Sequence, residues 1–172
     1  NGLTGMAATG SGANIAGTLT NPTNAVINAV FTVTPTSTAT PACPGSTFTI
    51  TVPVQPLPTI PDRTETICSK TAFSYTPANG NPTAAVIVPA GTTYTWTIPT
   101  PNANITGASA QAAPQAAIGQ TLTNITNVPQ TVRYVVTPKA PVGIGGCTGA
   151  AFNIDVTVNP TPVIADKVAA IC

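Results

Sequence analysis

The stretch Thr47-Phe48-Thr49-Ile50-Thr51-Val52 places an apolar residue at every second position, and Val54 continues the series. A period of two sends alternate side chains to opposite faces of a strand. The outward positions here are threonine, which is β-branched and favours an extended backbone while its hydroxyl tolerates water. The same alternation appears in segments 93–98, 131–136 and 152–158. These segments predict β-strands with one face in a hydrophobic core.

The rest of the chain shows no competing helical pattern. No segment keeps apolar residues at i, i+3, i+4 and i+7 over three turns, and no apolar run approaches the eighteen residues of a membrane-spanning helix. The alanine-rich segment 108–117 is interrupted by Pro114, so it predicts a loop or a short irregular strand. We therefore predict an all-β chain. Its core is expected to contain the inward residues of the alternating strands, which are Phe48, Ile50, Tyr94, Trp96, Val132, Tyr134, Phe152 and Ile154.

The sequence repeats itself after about a hundred residues. Segment 46–68 aligns with segment 150–172 at a separation of 104 residues, and Cys43 and Cys147 share that separation. Repeats of this length with short alternating strands predict tandem antiparallel Ig-like β-sandwiches. We expect residues 1–58 to be the C-terminal part of one repeat, 59–161 a complete repeat and 162–172 the first strand of the next. The proline-rich segments 54–58 and 158–162 are predicted to be extended, semi-rigid connectors at the boundaries.

The composition excludes several classes of function. The 172 residues include five basic and four acidic side chains and no histidine, which gives a net charge of +1. This charge offers no electrostatic surface for nucleic acid, and the chain has no imidazole for proton transfer or metal binding. Four carboxylates are too few for a convincing calcium site. We therefore predict no catalytic residue, no metal site and no cofactor, and we expect that the chain is not an enzyme.

Two local features admit a functional and a structural interpretation. The segment Asp62-Arg63-Thr64-Glu65 carries much of the charge and could hold an ion between domains, but a solvated turn with a local ion pair is favoured. Trp96 could be an exposed platform for sugars, but its place on an alternating strand favours the core.

The four cysteines leave the disulfide pattern open. One scheme pairs Cys68 with Cys147 inside the complete repeat, and this is the scheme we favour. The alternative pairs Cys43 with Cys68 and Cys147 with Cys172, linking neighbouring repeats. A third possibility is that the thiols are free. In an immunoglobulin topology, cysteines that open the second and the last strand lie at opposite ends, which argues against both pairings.

Several segments resemble one known family. Residues 67–77, 88–96, 122–127 and 158–162 are similar to the PKD-like (immunoglobulin-like) repeats of giant cell-surface proteins in the Bacteroidota. This resemblance implies a secreted, extracellular adhesin or its stalk, exported by the type IX secretion system and serving gliding motility or surface attachment. The implied partners are neighbouring repeats of the same chain and surface polysaccharide or the secretion and gliding machinery. Nucleic acid and membrane insertion of this segment are not expected.

The leading hypothesis is thus a structural stalk repeat at the cell surface. One alternative is a carbohydrate- or cell-binding module that uses loops around Asn79, Asn102 and Gly145. Another is the non-catalytic repeat region of a large secreted enzyme.

Overall fold

The computed structural model describes residues 2–5, 10, 12, 16–100, 103–164 and 166. In this part of the chain the structure is all-β, with a single three-residue 3-10 helix at Val142–Ile144 and no α-helix. The predicted all-β class is confirmed, whereas the tandem arrangement of the repeats stays a prediction. The strands are β1 (Ile27–Val33), β2 (Phe48–Val54), β3 (Arg63–Cys68), β4 (Thr71–Tyr75), β5 (Thr93–Trp96), β6 (Ile105–Thr106), β7 (Gln111–Gln115), β8 (Ile118–Asn124), β9 (Gln130–Lys139) and β10 (Phe152–Asn159).

The chain divides into two compact units. Unit 1 contains residues 1–59 together with two later segments, 78–92 and 139–149. Unit 2 contains residues 60–77, 93–138 and 150–172. The repeat boundaries expected at residues 58 and 161 stay a prediction.

Unit 2 is a β-sandwich of two sheets. One sheet has five strands in the order β3-β10-β9-β5-β7, and the other has three in the order β4-β8-β6. The chain changes sheet at the turn between β3 and β4, where Lys70 has φ 68° and its N–H donates to Leu122 O at 2.7 Å. Most neighbouring strands are antiparallel, but β3 and β10 are parallel. This pair departs from the predicted antiparallel arrangement because its strands are far apart in the chain, so no tight hairpin imposes a direction.

Aromatic side chains from both sheets meet in the core of unit 2. The Tyr134 ring on β9 lies 5.1 Å from the Phe73 ring on β4 and 6.4 Å from the Trp96 ring on β5, measured between centroids. Trp96 is buried, and its Nε1–H donates to Ser109 O at 3.0 Å. Burying a side chain of this size contributes about 1.5–3 kcal/mol of folding free energy. The other buried members of the predicted core are Tyr94, Val132, Phe152 and Ile154.

Unit 1 contains a two-stranded sheet that matches β9–β10. Phe31 on β1 pairs with Ile50 on β2, as Tyr134 pairs with Ile154, so the repeat seen in the sequence preserves the register. Equivalent residues of the two repeats are not buried to the same extent. Phe48 is 48% exposed, whereas its equivalent Phe152 is 2% exposed. The prediction of Phe48 as a core residue is corrected, because among the described residues of unit 1 no second sheet covers β1–β2. Ile50 is partly buried.

The segment around Pro114 forms an edge strand. Among the described strands, β7 pairs only with β5, and the register between Tyr94 and Trp96 is irregular. An edge position suits proline because it cannot donate to the sheet. The sequence predicts a loop or a short irregular strand for residues 108–117, and β7 is such a strand.

A buried asparagine recurs at the repeat spacing and joins separate parts of each unit. In unit 2, Asn124 Nδ2 donates to Val128 O and Val158 O, both at 2.8 Å, and its Oδ1 accepts from the N–H and hydroxyl of Thr126. In unit 1, Asn21 makes the same set of bonds, with Val54 in the place of Val158. Each asparagine therefore fastens a loop to the last strand of its sheet.

Candidate functional site

The connector, residues 55–59, is packed inside unit 1 instead of running through solvent. Pro56 and Pro58 are fully buried. Thr59 N–H donates to Ile87 O at 2.9 Å, and Ile87 N–H donates back to Thr59 O at 2.9 Å. Since unit 1 contains the connector and the loops 78–92 and 139–149, these three segments belong to one packed body. The sequence predicted an extended connector but gave no indication that it would be buried.

Gly145 fits against the connector because it has no side chain. Its φ is 94°, a left-handed value that favours glycine. A Cβ at this position would lie 2.6 Å from Gln55 Cγ, which is closer than two carbon atoms can pack. Gln55 Oε1 is buried there without a hydrogen-bond partner among the described residues. The absence of a side chain at Gly145 therefore lets the Gln55 side chain pack against loop 139–149.

The loop 78–92 is held by its own polar groups. Asn79 Oδ1 accepts from Val88 N–H at 3.1 Å, and Gly80 N–H donates to Val86 O at 2.9 Å. Thr92 is buried, and its hydroxyl donates to Pro89 O at 2.7 Å. Of the three loop residues suggested for ligand binding, Asn79 is thus engaged inside its loop and Gly145 packs against Gln55, while Asn102 lies outside the described residues.

We expect Gly145→Ala to loosen the connector. The alanine must adopt a left-handed backbone and displace Gln55, so it should destabilise unit 1 by about 1–2 kcal/mol. Hydrogen exchange at the Thr59 and Ile87 amides should accelerate by about 5- to 30-fold. The matched control is Gly143→Ala, because an added Cβ there meets nothing within 4 Å. Equal exchange rates in the two variants would contradict this role for Gly145.

Five charged side chains of unit 2 have local partners. Arg133 makes a bidentate pair with Asp155, with both N–O distances at 2.7 Å. Asp62 accepts from the backbone N–H of Asn153 at 2.7 Å and from its Nδ2 at 3.0 Å. Arg63 pairs with Glu65 and lies over the Tyr75 ring. Pairs as exposed as these contribute little to stability, because water and salt screen them. No three potential metal ligands come together among the described residues.

Stability should change little between pH 5 and 9. Hydrogen bonds from Asn153 lower the pKa of Asp62, and the hydrogen bond with Arg133 lowers the pKa of Asp155. Carboxylates with a lowered pKa contribute stability above their ordinary value of 3.8, and that contribution disappears as the pH falls through the folded-state value. Both groups are therefore ionised throughout the range from pH 5 to 9.

The alkaline limit should come from buried tyrosines. Burial raises the pKa of Tyr94 from 10.0 to about 12 and also raises that of Tyr134. Both rings contribute stability below pH 10, and this is lost as the pH rises towards the folded-state values. Melting temperatures recorded from pH 2 to 12 should be flat in the middle and fall at both ends, with a smaller alkaline fall in Tyr94→Phe. A change of many degrees between pH 5 and 9 would contradict this expectation.

The cysteines do not form the predicted disulfide. Cys43, Cys68 and Cys147 are free thiols, so the Cys68–Cys147 pairing and the Cys43–Cys68 alternative are both wrong for this structure. Cys68 is the last residue of β3 in unit 2, whereas Cys147 lies in the loop 139–149 of unit 1, so the two predicted partners belong to different compact units. The alternative partner of Cys147, Cys172, lies outside the described residues.

Comparison with protein families agrees with this architecture. The model of a PKD-like domain matches residues 1–58 and 65–162. The chain belongs to the PKD-like domain family. No curated protein matches it. PKD-like domains are commonly extracellular and typically non-catalytic modules, which gives this chain a structural or binding character.

Two further observations concern this PKD-like chain. The matched segments are separated by residues 59–64, which directly follow the buried Pro58 of the connector. In addition, no helix among the described residues is long and apolar enough to span a membrane.

The connector is the feature that sequence reasoning missed. Its prolines recur as Pro160 and Pro162, and Gly145 lies in a loop that the sequence suggested only for ligand binding. The recurrence of prolines at fixed positions was the available signal, since a linker with no packing role places little restriction on where its prolines occur.

Proposed function

We propose that the chain is a structural stalk repeat of a secreted bacterial cell-surface adhesin that serves surface attachment or gliding motility. Its direct partners are the neighbouring repeats of the same chain. Family membership supports an extracellular module, and the repeat of 104 residues supports an array of such modules. The absence of histidine and the nine charged residues leave little material for catalysis.

The packed connector is the observation that carries the proposal. A stalk must keep a distal binding region at a distance, which a freely jointed chain does poorly. Here Pro56 and Pro58 are buried, and Thr59 is bonded to Ile87 through two backbone hydrogen bonds. Both features restrict the backbone at the predicted boundary between the repeated segments.

The surface chemistry suits a passive spacer. The outward positions of the alternating strands are mostly threonine, and the net charge is +1. With so few charges, long-range electrostatic interactions are weak at any salt concentration. Such a module keeps its stability across the changing conditions outside a cell.

A replacement experiment in the full-length protein tests the proposal. Residues 1–172, which include both compact units, are exchanged for two unrelated Ig-like sandwiches of the same combined length, and in a matched variant they are deleted. A spacer predicts that the exchanged protein retains surface attachment, while the deleted one attaches less well. Loss of attachment in the exchanged protein at equal surface abundance would overturn the proposal. In parallel, the 172-residue chain is expected to bind nothing on a glycan array, whereas saturable binding would favour a carbohydrate-binding module.

A further inference from the structure

The repeat gives each module two cysteines at fixed places. One lies at the end of β3, where Cys68 recurs as Cys172, and the other lies in the loop before the last strand, where Cys147 recurs as Cys43. Cys43, Cys68 and Cys147 are free thiols, and Cys43 and Cys68 are exposed. Thiols kept at these two places in an extracellular protein call for a partner, because free thiols outside the cell tend to oxidise.

In unit 1, Cys147 belongs to the loop that packs on the connector after β2. Gly145, two residues before Cys147, contacts Gln55, and Gln55 directly follows the last residue of β2. The base of this loop is fixed because Ala140 N–H donates to Cys147 O at 2.9 Å. Cys147 therefore lies in a loop that is seated against the end of the preceding repeated segment.

In unit 2, Cys68 lies beside the connector that follows β10. It is in register with Asn159, and Asn159 is the equivalent of Gln55 at a separation of 104 residues. The next residue, Ser69, donates its N–H to Asn159 O at 2.8 Å and accepts from the Thr161 hydroxyl at 3.3 Å. Cys68 is thus a neighbour of Asn159, and the equivalent of Asn159 in unit 1, Gln55, is the residue against which the loop of Cys147 packs.

We propose that Cys68 forms a disulfide with the copy of Cys147 in the repeat that follows it. This inference rests on the tandem array of the proposed function. Loop 139–149 packs against the connector at Gln55. If the equivalent loop of the next repeat packs in the same way against the connector at Asn159, Cys68 lies on one side of this contact and the copy of Cys147 on the other. This pairing joins none of the residues Cys43, Cys68 and Cys147 to one another, in agreement with their free state.

The bond forms by thiol–disulfide exchange with a small or protein disulfide outside the cytoplasm. One cysteine thiolate attacks a sulfur of that oxidant and forms a mixed disulfide, and the second cysteine thiolate then displaces the remaining sulfur. The protein gains one S–S bond, the oxidant leaves as two thiols, and the protons of the two protein thiols pass to them. Each junction in the array would receive one cross-link.

Peptide mapping of the full-length protein tests the proposal. The protein is collected from the cell surface, alkylated and digested with trypsin without reduction. Trypsin places Cys68 in the peptide 64–70 and Cys147 in the peptide 140–167, so each cysteine is read separately. We expect peptide 64–70 to be linked to the peptide that carries the copy of Cys147 from the following repeat. A link to peptide 140–167 itself, or an alkylated Cys68, would overturn the proposal.

Two controls separate this proposal from the stalk function. In the 172-residue chain with oxidised glutathione as the oxidant, no bond between Cys68 and Cys147 should form. In full-length Cys68→Ser, the copy of Cys147 in the next repeat should become alkylatable, and retention of its cross-link would count against the pairing. If Cys68 is free but the replacement experiment still supports a spacer, only the disulfide proposal is rejected. If the replacement experiment fails, the stalk function is rejected.

Discussion

Replacing Tyr134 with alanine is expected to lower the free energy of unfolding of unit 2 by about 4 kcal/mol, because it removes a fully buried ring that packs against aromatic residues of both sheets. Neighbouring side chains of a two-layer core cannot close a gap of that size without moving the sheets. Urea unfolding followed by the fluorescence of Trp96 measures the effect, since this is the only tryptophan and its ring lies 6.4 Å from that of Tyr134.

The matched variant Tyr134→Phe separates packing from hydrogen bonding. It keeps the ring and removes only the hydroxyl, which bonds to Gln120 Oε1 at 2.9 Å. One such bond contributes about 1 kcal/mol. Equal losses in the two variants would show that the ring itself has little packing value and would contradict the core described here.

Replacing Asn124 with alanine is expected to lower the free energy of unfolding by about 3 kcal/mol. The change removes four hydrogen bonds and leaves buried groups, including Val158 O, without a partner. Each unsatisfied buried group costs about 1–3 kcal/mol, and water that enters the site can recover part of this. Thermal and urea unfolding should both report the loss.

Asn127 offers a control three residues away. Its side chain is exposed, so Asn127→Ala should change stability by less than about 0.5 kcal/mol. Asn21→Ala should destabilise unit 1 through the equivalent bonds. Similar stabilities for Asn124→Ala and Asn127→Ala would contradict the fastening role of the buried asparagine.

The alternation predicted the strands well because it is a local property of the chain. It located β2, β5, β9 and β10 to within a few residues. Burial is not local in this sense. Phe48 and Phe152 have the same neighbours in sequence pattern and the same strand register, yet only Phe152 is covered by a second sheet. A pattern shows which face is apolar, but not whether another layer covers it.

Features that depend on distant contacts were beyond sequence reasoning. The parallel pairing of β3 with β10 joins residues about ninety positions apart, and the packing of the Gln55 side chain depends on the distant Gly145. The cysteine pairings failed for the same reason, because spacing along the chain does not fix the distance between strand ends. The buried role of Asn124 had a usable signal in the repeated Leu-Thr-Asn at 19–21 and 122–124.

The parallel pair β3–β10 also determines how unit 2 meets tension along the chain. A pull on the two ends of this unit enters β3 at Arg63 and leaves β10 at Asn159, and the register places these residues at opposite ends of the paired segment. The strands are therefore loaded in shear, so the hydrogen bonds between them resist together instead of opening one after another. Rupture then requires a collective event, which gives unit 2 a mechanical strength that no melting experiment reveals.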